Sequence, residues 1–420
     1  MNTTDGKLPK IAVVGAGITG LTAAYRASKW AEVTLFEKEY QLGGHTHTVE
    51  ITEDKQVWAV DMGFIVFNDR NYPRFNSLLQ ELDVANRVTD MSFGVSCEKT
   101  GLEYSGSGFL GLFAQRVNLL KLNHYKLLLE ILRFNKNATE DKRNGRVASN
   151  LSLENYLKQN KFSKSLQDHY IYPIGSAIWS TNNSNILRMP AIFFITFFVN
   201  HGLLSLNDRP TWFTILGGSS TYIKKFLKNF NGKIEKGVKV INVTRRANDV
   251  IIQTSSGVEV FDGVVVASHS DQTLKMLNQK ELRILKTLEK IPYHINEIIL
   301  HTDQSQLPKA LDARASWNYR IPFIDKQGQA VVTYDMSRLQ GIKSRKKLLV
   351  TLNNTKNIKS NTILERYTTQ HPQFLESSLS AQKEVTLINE DSRLTIAGAW
   401  CRWGFHEDGV VSGENAVAAL

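Results

Sequence analysis

Cysteine, proline and long hydrophobic runs are all scarce in this 420-residue chain. Its two cysteines, Cys97 and Cys401, allow one disulfide at most and cannot form a cysteine-based zinc site by themselves. The longest nearly unbroken apolar stretch is Ala191 to Val199, well short of the ~18 residues that span a bilayer. Residues Met1 to Lys10 carry no apolar signal core. We therefore expect a reduced, cytoplasmic protein without a membrane-spanning segment.

Acidic residues are outnumbered, since 51 Lys and Arg stand against 40 Asp and Glu and the formal net charge is +11. The excess is largest between Leu110 and Tyr170, and a second basic cluster occupies residues 343–347. Three interpretations remain open: an ordinary solvated surface, contact with an anionic membrane surface, or an acidic substrate. Nucleic acid is not an expected partner, because none of the recognition-module signatures is present.

The remaining composition, 42% hydrophobic and 22% charged, is typical of globular proteins and excludes collagen-like, coiled-coil and mostly disordered chains. The chain opens with a βαβ pattern: a strand up to Gly15, a helix over Thr19–Ser28 and a strand over Val33–Glu37. Sheet character returns at 233–243, 250–254, 262–267 and 394–398, and a helix follows over 409–420. Helices are predicted over 109–134, 151–160 and 191–200.

This order predicts an α/β fold in which a Rossmann-like dinucleotide-binding domain carries an inserted α+β substrate domain. We assign residues 1–75, 212–285 and 390–420 to the first domain. Residues 76–211 and 286–389 form the second.

The glycine pattern Gly15-Ala-Gly17-Ile-Thr-Gly20 follows a strand and opens a helix, as a dinucleotide fingerprint requires. Gly15 permits the tight turn, Gly17 lets the backbone approach a pyrophosphate, and Gly20 lets helix and strand pack closely. The helix start offers free N–H groups and a positive dipole end to phosphate. Glu37 ends the second strand, where a carboxylate binds a ribose 2′-hydroxyl and repels a 2′-phosphate. NADP is therefore not expected.

The next segment, Gly43-Gly44-His45-Thr46, resembles the extension of two-dinucleotide-domain flavoproteins, in which a second loop closes on the FAD pyrophosphate. Asp61-Met-Gly63-Phe64 follows at the spacing where that family returns to the flavin ring.

The carboxyl-terminal segment from Ala397 to Gly413 resembles the closing FAD motif of the flavin amine-oxidase superfamily, which includes protoporphyrinogen oxidases and phytoene desaturases. The resemblance implies that the helix start after His406 stabilises negative charge on reduced flavin. It also implies that the backbone of Val240 pairs with adenine.

Further motifs resemble a bacterial subgroup of predicted NAD/FAD-binding oxidoreductases, and this match covers nearly the whole chain. They are Gly43–Thr48, Asp61–Asn68, Leu300–Asp303, Ser316–Tyr319 and Gly404–Gly409. Members of the subgroup are commonly associated with cyclopropane-fatty-acid-type methyltransferases. The resemblance implies chemistry on fatty-acyl chains and a methyltransferase partner.

Three departures from the amine-oxidase pattern weaken an assignment to amine oxidation. His45 stands where an arginine often contacts the pyrophosphate, so that cation is either absent or pH-dependent. Ala399 and Trp400 stand where an acid often follows the last strand, and no lysine aligns with the one near flavin N5. Neither cysteine is placed for a flavin thioether, so we expect FAD to bind non-covalently.

Taken together, the fingerprint and the resemblance give one set of predicted FAD-binding residues. They are Gly15, Ala16, Gly17, Ile18, Thr19, Gly20, Glu37, Lys38, Gly43, Gly44, His45, Thr46, Gly63, Phe64, Val240, Gly398, Asp408, Gly409 and Val410. The candidate catalytic residues are His406, which either moves a proton or caps the helix, and Trp317 and Tyr319, which either line the flavin or pack within a strand.

Other patterns have two interpretations each. His45 and His47 could share a metal, but sequence neighbours supply too few further ligands, and we expect none. The phenylalanines of residues 193–198 suit an acyl-chain tunnel or a core. The basic amphipathic stretch from Phe109 to Lys136 suits a membrane surface or a domain helix with a solvated face.

The sequence therefore predicts an FAD-dependent oxidoreductase that transfers a hydride from an apolar substrate, fatty-acyl or lipid, to flavin N5. Two alternatives remain open. One is a flavin-dependent isomerase of unsaturated chains, and the other is a non-catalytic, flavin-holding partner of a lipid methyltransferase.

Overall fold

The computed structural model describes residues 7–205, 207–277, 281–323, 329–390 and 392–420. Within these ranges the chain forms twenty strands. They are β1 (Lys10–Val14), β2 (Glu32–Glu37), β3 (Thr48–Glu53), β4 (Gln56–Asp61), β5 (Phe67–Asn68), β6 (Asn86–Val88), β7 (Phe93–Cys97), β8 (Glu103–Ser105), β9 (Trp212–Ile215), β10 (Lys233–Lys236), β11 (Val240–Arg245), β12 (Val250–Thr254), β13 (Val258–Phe261), β14 (Gly263–Val266), β15 (Tyr293–His301), β16 (Trp317–Ile321), β17 (Val332–Asp335), β18 (Leu349–Leu352), β19 (Ile363–Pro372) and β20 (Leu394–Ile396).

Fifteen α-helices lie in the same described ranges. They are α1 (Ile18–Ala27), α2 (Pro73–Glu81), α3 (Gly108–Leu112), α4 (Leu122–Arg143), α5 (Leu153–Gln159), α6 (Lys164–Leu166), α7 (Tyr172–Trp179), α8 (Asn183–Arg188), α9 (Ala191–Asn200), α10 (Ser220–Asn229), α11 (Ser270–Met276), α12 (Leu282–Leu288), α13 (Met336–Leu339), α14 (Glu376–Ile388) and α15 (His406–Ala418).

A five-stranded parallel sheet carries the dinucleotide-type elements, with strand order β10-β2-β1-β14-β20. Its two central strands are fully or almost fully buried apolar runs, Ile11–Val14 and Val264–Val266. Such runs are typical of parallel strands that are covered on both faces. The strand order reverses between β1 and β14, and ligands of doubly wound sheets bind beyond the carboxyl ends of the strands at such a point.

The second large sheet has seven strands in the order β19-β15-β18-β17-β16-β7-β8. All its neighbours pair antiparallel except β16 and β7. Helices α4 to α9 contribute an aromatic-rich core of their own beside it. The two large sheets draw on the chain segments that the sequence assigns to different domains, although the domain boundaries themselves stay a prediction.

Most predicted elements match the structure closely. The helix predicted over 191–200 is α9 without a change of boundary, and the strands at 250–254 and 262–267 are β12 and β14. The segment 233–243 is two strands rather than one, because Gly237 has a φ of +71° and turns the chain between β10 and β11. The α/β fold class with a Rossmann-like domain is confirmed.

The long helix predicted over 109–134 is wrong. The segment forms α3, a 3₁₀ turn at Arg116–Leu120 and then α4. The reason is tertiary: Phe113 turns inward, and its ring centroid lies 5.2 Å from that of His124. In one continuous helix these two residues would lie ~16 Å apart along the axis.

None of the described helices has the length and hydropathy needed to cross a bilayer.

Candidate cofactor site and active site

The predicted glycine loop connects β1 to α1 at the centre of the parallel sheet. Gly15 has a φ of +97°, and a Cβ there would lie 2.7 Å from the carbonyl oxygen of Ala267, at the end of β14. A Cβ on Gly20 would lie 1.7 Å from the Gly15 carbonyl oxygen. Gly17 has open space instead, since its nearest neighbour would be 4.0 Å away. The loop therefore needs glycine at its ends and leaves a clear approach in the middle.

Glu37 ends the neighbouring strand β2 and is buried beside this loop. One carboxylate oxygen accepts a hydrogen bond of 2.7 Å from the backbone N–H of Ala16, and the other accepts one of 3.0 Å from Glu39. Lys38 behaves differently, because its side chain is exposed and pairs with Glu39 at 3.3 Å. The structure thus joins Glu37 to the glycine loop and leaves Lys38 at the surface.

The glycine doublet packs directly against the fingerprint. Gly43 forms a parallel bridge with Gly17 and donates its backbone N–H to Ala16 at 2.9 Å. A Cβ on Gly44 would lie 3.1 Å from the Gly17 Cα. Gly63 closes the same region, since its Cβ would meet the His45 carbonyl oxygen at 1.8 Å. The glycine loop, the glycine doublet, the segment around Gly63 and the end of β14 therefore meet at one end of the sheet. The fingerprint and the doublet together predict this arrangement.

The closing helix α15 completes this end of the molecule by packing on α1. A Cβ on Gly409 would lie 2.6 Å from the Ile18 side chain, and one on Gly413 would lie 2.5 Å from the Thr19 carbonyl oxygen. Glycine at both positions lets the helices approach closely, and it brings the start of α15 next to the start of α1. Two helix N-termini with their positive dipole ends therefore lie side by side, which suits a dinucleotide that is anionic.

Gly398 and Asp408 hold the loop between β20 and α15. The Gly398 N–H donates to the Ser412 hydroxyl at 3.0 Å, and Asp408 Oδ2 accepts the Phe405 N–H at 3.0 Å. Burial raises the pKa of Asp408 to about 7. Asp408, rather than His406, is the residue that caps this helix.

His406 is the first residue of α15, and its ring stacks on Phe64 with centroids 3.5 Å apart. Its Nε2 lies 3.1 Å from Thr46 Oγ1, which in turn lies 2.6 Å from the Tyr222 hydroxyl. Burial holds the pKa of His406 well below its usual value. The imidazole is therefore neutral at pH 7, where it can donate one hydrogen bond and accept another.

His45 lies in a buried histidine cluster that also contains His269 and His371. Its ring centroid is 5.3 Å from that of His269 and 5.2 Å from that of His371, and its Nε2 bonds the Gln370 carbonyl at 2.9 Å. Burial lowers the pKa of all three histidines, that of His269 to about 3. At pH 7 the position that often carries an arginine is thus uncharged in this chain.

His45 and His47 do not form a shared metal site. His47 stacks on Tyr367 with ring centroids 4.3 Å apart, whereas His45 belongs to the cluster just described. Among the described residues, no group of three or more His, Cys, Asp or Glu side chains is arranged to hold a metal ion.

The predicted residues Trp317 and Tyr319 lie on β16 of the other sheet and share one face of that strand. Trp317 contacts Tyr334 edge to face at 4.9 Å, and its buried indole N–H has no hydrogen-bond partner among the described residues. Tyr319 is buried in the core that β16 shares with β17 and β18. The contacts that place Trp317 are therefore those of strand packing.

The remaining predicted positions support packing. Val410 lies in the core between α1 and the sheet, and Val240 begins β11 at a register shift opposite Thr254. Val238, just before β11, donates its N–H to the Glu37 carbonyl at 2.9 Å. This bond places the start of β11 beside the end of β2.

Asp61, the first residue of the motif that the sequence places near the flavin, contacts residues that sequence reasoning missed. It accepts hydrogen bonds from the backbone and hydroxyl of Ser219 and from the Gln340 amide. Burial raises the pKa of Asp61 to about 6. Asp61 therefore links the chain after the glycine doublet to the loop before α10 and to the end of α13. The Gly217-Gly218 pair ahead of Ser219 is a local signal that could have pointed to Ser219.

The hydrogen-bonding groups at this site fit FAD. Backbone N–H groups surround the Gly17 approach, a buried carboxylate lies at the end of β2, and a second helix start lies beside the first. The buried indole N–H of Trp403, in the loop before α15, has no partner among the described residues. Buried polar groups are normally satisfied, so an unpaired donor at this position is consistent with a bound molecule.

Comparisons with known proteins agree with this geometry. Residues 13–82 match the family model for an NAD(P)-binding Rossmann-like domain. An L-amino-acid oxidase of Mus musculus is 23% identical over 292 residues, 65% of this chain and 41% of the oxidase. A 4,4′-diapophytoene desaturase of Staphylococcus aureus is 49% identical over 55 residues, 13% of this chain and 10% of the desaturase. The chain thus matches less than half the length of each relative.

Solved structures extend the similarity to the whole fold. A double mutant of putrescine oxidase superposes with a TM-score of 0.70, covers 98% of both chains and is 12% identical. A fatty acid isomerase from P. acnes that produces CLA superposes with a TM-score of 0.71, covering 100% of this chain and 99% of its own at 14% identity. The comparisons support FAD as the cofactor. The family model and the superpositions together show a Rossmann-like domain within a fold that this chain shares with these two solved structures.

Proposed function

We propose that this protein is an FAD-dependent oxidoreductase that oxidises an apolar substrate, of the fatty-acyl or lipid class. Bound FAD would accept a hydride from one carbon of the substrate. The neighbouring carbon would release a proton to solvent, so that a carbon–carbon double bond forms. The chain's own residues hold the cofactor, exclude water and position the substrate.

The observation that carries this proposal is an aromatic wall beside the start of α15. The Phe193 ring lies 6.0 Å from Trp403, and the Phe197 ring lies 5.1 Å from Phe405. His201 stacks on Phe197 at 3.8 Å, and burial lowers the pKa of His201 to about 4. A neutral, aromatic surface of this kind favours an alkyl chain over a carboxylate.

Within this site His406 orients the substrate and remains uncharged. Its neutral ring, its bond to Thr46 and its contact with Phe64 fix one orientation beside the helix start. Thr46 and Tyr222 form the polar end of an otherwise apolar region. A fixed polar contact of this kind orients a substrate without adding charge.

The test is the visible spectrum of the purified protein before and after anaerobic addition of a candidate donor. An FAD-loaded protein has bands near ~375 and ~450 nm. We expect palmitate or oleate, presented as the free acid or as phosphatidylglycerol vesicles, to bleach the longer band. We expect putrescine and L-leucine to leave it unchanged. Bleaching by the amines alone would contradict the substrate class, and a protein that binds no FAD would contradict the whole proposal.

His406→Gln separates positioning from cofactor binding. The glutamine amide can still bond Thr46, so we expect full flavin content but reduction slowed by about 10- to 100-fold. Equal rates for the variant and the natural protein would remove His406 from the site.

A second candidate function is isomerisation of unsaturated chains without net redox change. The full-length similarity to a fatty acid isomerase supports this alternative. Conversion of an unsaturated fatty acid to a positional isomer, with no oxygen or other acceptor consumed, would favour it over oxidation.

The association with a lipid methyltransferase is a separate proposal. It rests on the subgroup resemblance and on Ala399 and Trp400, which replace the usual acid. Flavin that no donor reduces, together with stable co-purification of a methyltransferase, would support a non-catalytic role.

A further inference from the structure

The segment between β8 and the middle of α4 exposes an unusual number of large apolar side chains. We call this set the apolar face. It consists of Phe109, Leu110, Val117, Leu119, Leu120, Leu122, Tyr125, Leu129 and Leu132. Leu120 and Leu122 are 88% and 77% exposed. Single exposed leucines are ordinary on protein surfaces, but a continuous group marks an interaction site.

Helix α4 shows that this exposure is systematic. His124, Leu127, Phe134 and Ala138 recur at helical spacing and form the buried side. Leu122, Tyr125, Leu129 and Leu132 recur at the same spacing on the opposite side, and all are exposed. A helix that only covers a core presents polar residues to water, whereas α4 is apolar on both sides.

The exposed charges in the segment that carries the apolar face are mostly basic. From Tyr104 to Leu129 the sequence contains Arg116, Lys121 and Lys126 and neither Asp nor Glu. All three of these cations are exposed. Lys136, also exposed, continues the basic edge along α4.

The acidic groups on adjoining elements already have partners. Glu103 accepts hydrogen bonds from the backbone of Lys309 and Ala310. Glu130 bonds Ser163, and Asp312 pairs with Arg116 at 3.4 Å. They reduce the positive potential near Arg116 but leave Lys121 and Lys126 without a described acidic partner.

We propose that the apolar face docks on an anionic lipid bilayer. Leucine and phenylalanine side chains would enter the boundary between headgroups and acyl chains, while Lys121 and Lys126 contact lipid phosphates. The long basic side chains can extend to the headgroups while their stems remain among apolar residues. The proposal goes beyond the enzymatic function, because it concerns a surface and not the flavin site.

A second copy of this chain fits the same surface poorly. A two-fold interface brings the same patch together from both subunits. It would place two copies of Lys121 and Lys126, which have no described acidic partner, against each other. An anionic lipid surface instead satisfies both the apolar and the basic residues.

The apolar face follows β8 in the chain. Strand β8 pairs with β7, and β7 pairs with β16, which carries Trp317 and Tyr319. The seven-stranded sheet therefore connects this segment to the strand of two candidate catalytic residues.

The test is co-sedimentation of the full-length, FAD-loaded protein with phosphatidylglycerol vesicles and with phosphatidylcholine vesicles. We expect binding to the anionic vesicles, weakened by salt, and little binding to the neutral ones. The double variant Leu122→Asp with Leu129→Asp should lower the partition coefficient by about tenfold or more.

The matched control is Leu282→Asp with Leu387→Asp. Leu282, like Leu122, is the first residue of its helix, and both control leucines are exposed on helices away from the apolar face. We expect the control to bind vesicles like the unchanged protein. Equal loss in both double variants, or no vesicle binding at all, would overturn the proposal.

Sedimentation velocity without lipid tests whether a second copy of this chain covers the apolar face instead. A dimer that becomes a monomer only in the Leu122→Asp, Leu129→Asp variant would show that a second copy covers the face, and would also overturn the proposal. None of these measurements depends on turnover, so failure here and failure of the oxidoreductase proposal are independent.

Discussion

Gly17 and Gly20 lie three residues apart in one loop, yet the space around their Cα atoms differs. A Cβ on Gly17 meets nothing closer than 4.0 Å, whereas one on Gly20 meets the Gly15 carbonyl oxygen at 1.7 Å. Gly17 leaves open space beside the loop, and Gly20 permits the close contact between α1 and the Gly15 carbonyl group. The same residue type therefore leaves open space at one position and permits close packing at another within a single turn.

We expect Gly17→Ala to fold normally and to lose FAD, because the added methyl group occupies the approach to the pyrophosphate. Gly20→Ala should destabilise the protein by several kcal/mol, at the upper end of single substitutions. Flavin content and the melting temperature separate the two effects. Gly106→Ala is the control, since its Cβ also meets nothing closer than 4.0 Å. Retention of FAD by Gly17→Ala would contradict this placement of the cofactor.

Glu37 offers a second test at this scale. Its buried carboxylate already accepts the Ala16 N–H and is placed to bind a ribose hydroxyl. Hydrogen bonds to charged acceptors contribute about 1.5–3 kcal/mol, so Glu37→Gln should raise the Kd for FAD by about 10- to 100-fold. Glu39→Gln, two residues along at an exposed position, should leave the Kd unchanged. Equal affinities for FAD in all three proteins would refute the assignment.

At the scale of an element, the phenylalanines of helix α9 lie in two different surroundings. Phe194 and Phe198 stack at 4.0 Å inside the helical core, and Phe194 packs on Gly175. Phe193 and Phe197 face the loop before α15 instead. All four phenylalanines are buried, but only Phe193 and Phe197 contact the loop before α15, so these two are the ones that the proposed acyl-chain site would use.

This division predicts different effects for two neighbouring substitutions. Phe194→Ala should lower the free energy of unfolding by about 3–5 kcal/mol, because it leaves a cavity in a closed core. Phe197→Leu should change stability little and should alter which chain lengths reduce the flavin. Denaturant titration measures the first effect, and the rate of flavin bleaching against a fatty-acid series measures the second. An unchanged chain-length preference in Phe197→Leu would place the acyl site elsewhere.

Over the whole molecule, histidine burial governs the response to acid. Nine of the ten histidines have a pKa lowered by burial, while the pKa of His169 is raised. A histidine kept neutral in the folded state binds a proton only on unfolding once the pH falls below about 6.5. Each fully buried histidine should therefore cost about 2 kcal/mol of stability at pH 5.

Two buried carboxylates act in the opposite direction. The pKa values of Asp61 and Asp408, raised to about 6 and about 7, mean that their protonation favours the folded state as the pH falls toward 4. Because the histidines are more numerous, we expect the free energy of unfolding to fall between pH 6.5 and pH 5. Denaturant titrations at several pH values test this, and a stability that rises over that interval would contradict it.

The local part of the site was predictable from the sequence. Nearby backbone contacts restrict which residue fits at several positions of the site. These are the glycine fingerprint, Glu37, the glycine doublet and the Gly409–Gly413 pair. Such requirements leave a signature within a few residues. Tyr222, Ser219, Gln340, His269 and His371 contribute through contacts between distant segments, so that no local pattern points to them.

The amino-acid sequence by itself determined the Rossmann-like framework and its dinucleotide, because short apolar strands, glycine turns and helix starts are specified by neighbouring residues. Only the tertiary structure decided the charge state of His45 and His406, since burial, and not residue type, sets their pKa. It also decided that residues 109–134 break into two helices joined by a 3₁₀ turn, with Leu110, Leu122, Leu129 and Leu132 exposed. An amphipathic pattern predicts which residues share a face, but only the packing of the rest of the chain determines whether that face is covered.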